Sequence, residues 1–174
     1  MLAMLVPWIA FWTAMSISPS LGPVITLAFC AATPLLFYRN EKTFYDVISP
    51  CIVVALVALV LVGVPLTMVL PLSYVGFGLM WLVPALVGIP LSAHYSKNSY
   101  GGNGALNNTI FVQTNRIICL VWGVTYLAAA VAAFLLVGTD AAPLVAIVNN
   151  ILPLPAAFFT VWFQRWYPQK VARG

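Results

Sequence analysis

Asn149 and Asn150 stand side by side in an apolar run, with Pro153 and Pro155 just behind them. Proline has no N–H, so in a continuous helix Pro153 frees the carbonyl of Asn149 and Pro155 frees that of Ile151. Two side-chain amides and two loose carbonyls at one level make the kind of site that broken membrane helices offer to a solute. The same amides can simply bond one helix to its neighbour, at about 1 kcal/mol for each bond. Both readings stand. A second polar pair, Asn115 and Arg116, opens an earlier apolar segment, where the cation either anchors a helix end among lipid headgroups or offers a binding group. The candidate binding residues are therefore Asn149, Asn150, Pro153, Pro155, Asn115 and Arg116.

Other chemistry has few players. There is one histidine, His94, and no carboxylate pair, so no catalytic residue is expected and the chain reads as non-enzymatic. His94 with Cys30, Cys51 and Cys119 lacks any metal-ligand spacing, so neither a metal nor a cofactor is expected. The cysteines are odd in number and lie in or beside apolar segments, as buried hydrophobes do. Asn107-Asn108-Thr109 matches a glycosylation acceptor, but on the side where charge places the cytoplasm.

Composition says what must position these residues. Of 174 residues 63% are hydrophobic and 6% charged, against about 25% charged in soluble domains, so no water-facing coat can be built. Lipid is the solvent, and an all-α transmembrane bundle follows, as one integral membrane domain. The expected spans are 2–16, 21–38, 47–70, 72–91, 116–137 and 141–163, with a polar loop at 92–115 and a tail at 164–174. A bundle of five spans with the first segment lying in the interface fits the same loops. Pro50 falls in the first turn of the third span, Pro65 kinks or ends it, and a turn follows at Pro71. Glycine and asparagine describe a flexible loop over 92–113.

Six spans put all seven basic residues on one side and only Asp140 opposite, which makes that side the cytoplasm and leaves both termini there, in a plasma (inner) membrane. The formal charge of +4 is scattered over span ends and forms no face for a phosphate backbone, so nucleic acid is not a partner. No ionisable residue lies deep in a span, which argues against proton coupling. Ala128 with Ala132, and Ala129 with Ala133, set small residues four apart and suit close packing with a membrane partner or a second copy.

Two stretches resemble the bacterial intracellular septation protein A family. One is Asn115-Arg116-Ile117-Ile118-Cys119-Leu120-Val121-Trp122, a polar-basic entrance to an apolar helix with a tryptophan. The other is Val148-Asn149 ahead of Phe159-Thr160 and the ending Trp166-Tyr167-Pro168-Gln169. The order of spans and loops is similar across most of the chain, although this sequence carries fewer loop charges and no acidic residue near its start. The resemblance implies an inner-membrane protein of the cell envelope, associated with its integrity and with septation, and no catalytic residues. Two functions follow as expectations: packing against envelope partners through the alanine face, the polar loop and the tail, or passive passage of a neutral or anionic solute past Asn149 and Asn150.

Overall fold

The computed structural model describes residues 2–37, 43–137, 139–140, 144–145 and 151–173. Among them every regular element is helical: α1 (Leu2–Ile17), α2 (Gly22–Phe37), α3 (Phe44–Leu61), α4 (Leu66–Val87), α5 (Leu91–Ser96), α6 (Thr109–Leu136) and α7 (Pro153–Arg173). Two 3-10 turns, Lys97–Tyr100 and Gly102–Asn107, join α5 to α6. Three helices are long and apolar enough to cross a membrane, α3, α4 and α6, while α1 and α2 are apolar but shorter.

The chain divides into two compact units, Met1–Ser73 and Tyr74–Gly174, the boundary falling within α4. In the first, α1 packs on α2 and α3 through stripes at helical spacing: Met4, Trp8, Phe11 and Met15 from α1, Thr26, Cys30 and Thr33 from α2, and Ser49, Val53 and Leu56 from α3. Most of their polar atoms are matched, the buried Thr26 hydroxyl being the exception among the described residues. The Trp8 indole donates to Ser49 Oγ at 2.8 Å, and that hydroxyl donates to the Met4 carbonyl at 2.6 Å. Likewise Trp12 donates to Ser73 Oγ at 2.8 Å, which donates to the Leu70 carbonyl. At the α1–α2 turn a Cβ on Gly22 would lie 2.9 Å from Met15 Sδ and 3.1 Å from the Ala14 carbonyl, so a larger residue needs the Met15 side chain to move and the turn to open by a few tenths of an ångström. Asp46, at the third position of α3, accepts from the Thr43 N–H at 2.9 Å and from its hydroxyl, tying down the helix start.

In the second unit, α6 lies against α5 and α7, and crosses the later part of α4 where Gly78 meets Gly123. A Cβ on Gly78 would sit 3.1 Å from the Gly123 oxygen, so a larger residue there requires the backbones to give by a few tenths of an ångström. Aromatic rings brace the crossing: Phe77 stands edge-on to Tyr126 at 4.5 Å, and Trp81 stacks on Trp122 at 5.7 Å. The Trp122 indole also donates to Thr160 Oγ1 of α7 at 2.9 Å.

Several helix boundaries differ from the expected spans. The break after the third apolar run is at 62–65, where Gly63 takes φ 90° and Pro65 precedes α4, and Pro71 lies inside α4. Because α3 begins at Phe44, Pro50 stands in its second turn and costs it one helical hydrogen bond. The expected flexible loop is instead α5 and two 3-10 turns, and α6 starts at Thr109, which puts Asn115 and Arg116 almost two turns inside it. Ala129 and Ala133 are buried within the fold, so that part of the alanine face packs internally. The tail continues α7 through Pro168 to Arg173.

Candidate functional site

Where the polar loop, α6 and α7 converge, the second unit holds a partly open cavity of about 370 Å³. The loop contributes Ser96, Tyr100 and Asn108, α6 contributes Phe111, Thr114, Asn115 and Ile118, and α7 contributes Gln164 and Pro168. Each part is held by local chemistry. Asn108 caps α6, its Oδ1 accepting the Phe111 N–H at 3.1 Å. The Tyr100 and Phe111 rings lie 5.3 Å apart. Ser92 fastens α5 to α6 by donating its hydroxyl to the Asn115 carbonyl at 3.2 Å and its N–H to Cys119 Sγ at 3.4 Å.

Asn115 is the most buried amide of the set, 8% exposed. Its Nδ2 donates to the Phe111 carbonyl at 2.9 Å. Its Oδ1 lies 3.4 Å from Ser96 Oγ, but that hydroxyl has one proton and stands closer, at 2.8 Å, to the Ser92 carbonyl. The Asn115 amide thus keeps one N–H and most of its acceptor capacity for something else. Thr114, by contrast, spends its hydroxyl on the Ile110 carbonyl at 2.7 Å.

Among the described residues that line the cavity none is charged. Three cations adjoin cavity residues in sequence: Arg116 Nη2 donates to the Gly88 carbonyl at 3.3 Å, Lys97 Nζ donates to Asn103 Oδ1 at 2.6 Å, and Arg165, next to Gln164, is exposed. His94, on α5, is held below its ordinary value of 6.5 by burial and then by the Lys97 charge. Among the described residues no three His, Cys, Asp or Glu side chains gather where they could share a metal ion.

The residues singled out by sequence do not form one site. Asn149 and Asn150 lie outside the described residues. Pro153 is the first residue of α7 and Pro155 stands in its first turn, positions whose N–H groups have no helical acceptor, so proline there starts the helix. Pro155 is nine residues from Gln164, roughly 13 Å along the helix axis at about 1.5 Å per residue, so the two do not share a level. Asn115 belongs to the cavity, whereas Arg116 turns to Gly88. The hydrogen-bonding cavity residues that sequence reasoning missed are Ser96, Tyr100, Asn108, Thr114 and Gln164. Asn108 had a usable signal, since an asparagine directly before an apolar run is a helix cap. No family model, no curated protein and no solved structure matches this chain.

Proposed function

We propose that this chain is a non-enzymatic, six-span inner-membrane protein with both termini in the cytoplasm, acting by binding partners in the cell envelope. The resemblance to the septation protein A family points to envelope integrity or septation as the setting. The observation that carries the reading is the convergence of the polar loop and the tail, the two stretches expected to meet cytoplasmic partners, on one surface beside α6. In the apolar helices the indoles of Trp8, Trp12 and Trp122 bond to hydroxyls inside the protein, whereas the buried Trp81 indole N–H and Thr26 hydroxyl have no partner among the described residues. Its partners would be membrane lipid together with a membrane protein or a second copy of this chain. The test is co-purification from crosslinked membranes with the full chain and with a chain ending at Phe163. Loss of captured protein is expected from the shortened chain, and an unchanged set rejects the reading.

Passive passage of a small solute is the second reading, favoured by one observation, the hydrogen-bonding but uncharged lining of the cavity. It predicts that Asn115→Cys at the cavity, and Asn149→Cys or Asn150→Cys, each in a chain whose own cysteines are alanine, react rapidly with a charged, water-soluble thiol reagent. No labelling at any of these positions in folded protein rejects it.

A further inference from the structure

The level of the cavity follows from the length of α6. Its 28 residues measure about 42 Å at about 1.5 Å per residue, more than the roughly 30 Å of a hydrocarbon layer. The excess belongs to its first turns, which hold Thr109, Gln113, Thr114, Asn115 and Arg116, because residues 117–136 are almost wholly apolar and by themselves measure about 30 Å. Asn115 therefore sits at the hydrocarbon edge, the depth of the glycerol and ester groups of lipids.

Three properties define what fits. The cavity offers an amide with spare donor and acceptor capacity, so the occupant carries a hydroxyl or an ester. No charged side chain lines it among the described residues, so an anionic headgroup drawn inside would lose its water without a counter-ion in contact. Ile110, Phe111 and Ile118 form apolar walls that a free polyol would leave in contact with water. We propose that the cavity binds an uncharged, hydroxyl-bearing glycerolipid, a mono- or diacylglycerol, with its hydroxyl on the Asn115 amide and the start of its chain along those walls. A volume of about 370 Å³ is at the small end for ligand pockets, enough for the glycerol and the first part of one chain, the rest lying in the bilayer. The inference rests on α6 crossing the membrane and not on the reading of protein partners.

The test uses the purified full chain in detergent, observed by native mass spectrometry with 1-monooleoylglycerol, with oleoyl lysophosphatidylglycerol, and with glycerol as competitor. A one-to-one monooleoylglycerol adduct is expected, not displaced by glycerol and stronger than that of the anionic lipid. Gln164→Trp places bulk at the exposed rim of the cavity, and Asn115→Leu removes the amide. Each should weaken the adduct by about tenfold or more, the factor that accompanies a lost buried hydrogen bond or a filled pocket. Gln164 is exposed, so that variant decides even where Asn115→Leu does not fold, circular dichroism giving the check on helix content. An equal adduct with the anionic lipid, displacement by glycerol, or full binding by Gln164→Trp would overturn the proposal.

Discussion

Replacing Gly123 with alanine should destabilise the protein although alanine is the better helix former. The added Cβ would collide with Leu82 Cγ, lie 2.9 Å from Leu82 Cδ2 and come within 3.1 Å of the Gly78 carbonyl oxygen. Leu82 is half-buried and can turn aside, but the carbonyl belongs to α4 and moves only if the helices separate. Separation loosens the ring contacts at Phe77–Tyr126 and Trp81–Trp122. Overpacking of this kind costs about 2–3 kcal/mol, and the change from glycine to alanine returns about 1 kcal/mol of helix propensity. The net loss is about 1–2 kcal/mol, which for a chain of this size lowers Tm by roughly 2–8 °C. Thermal unfolding in detergent, followed by near-ultraviolet circular dichroism of the stacked tryptophans, reads it directly. Gly88→Ala is the control, because its Cβ would meet only the Pro84 oxygen at 3.9 Å, so Tm should hold or rise. Adding Leu82→Ala to Gly123→Ala relieves one of the two collisions, and the double variant should lose less than the sum of the singles. Equal Tm for Gly123→Ala and Gly88→Ala would refute the reasoning.

Ser49→Ala should cost about 1–3 kcal/mol by leaving the buried Trp8 indole N–H without its acceptor, and Trp8→Phe in the same chain should add less than it costs alone, as a double-mutant cycle would show. The lowered value of His94 means that the unfolded chain binds its proton more readily, so stability should fall as pH drops through about 6.5 and be unaffected above it. A Tm series against pH should show that slope in the native chain and a weaker one in His94→Gln. Cys51 is exposed on α3 whereas Cys119 is fully buried, so a lipid-soluble maleimide should label Cys51 in the folded protein and Cys119 only after denaturation, as peptide mass mapping would reveal.

The helical, membrane-type character of the chain was legible because it is a property of composition: with so few charges, backbone polar groups have to be satisfied within helices. Prolines were harder. Pro153 and Pro155 look like breaks in a long apolar run, yet α7 begins at Pro153, where the same missing N–H is harmless. Pro71 looks like a turn and lies inside α4, because Gly63, with its positive φ, had already turned the chain. A proline's local chemistry is the same in each place; its consequence depends on where the helix starts, which packing decides.

Of the candidate site, only Asn115 was named from sequence and also found in the cavity. The other hydrogen-bonding residues of the cavity, Ser96, Tyr100, Asn108, Thr114 and Gln164, come from stretches far apart in the chain and carry no shared spacing. By itself, then, the sequence determined the solvent, the helical class and the polar stretches that gather basic residues, because each follows from how many polar groups there are and how they are ordered. The tertiary structure alone decided which glycines let helices touch, which hydroxyls the Trp8, Trp12 and Trp122 indoles reach, and that Asn115 keeps hydrogen-bonding capacity in a cavity lined, among the described residues, by no charged side chain. Those outcomes depend on distances between residues far apart in the chain, and such distances are set by how side chains pack.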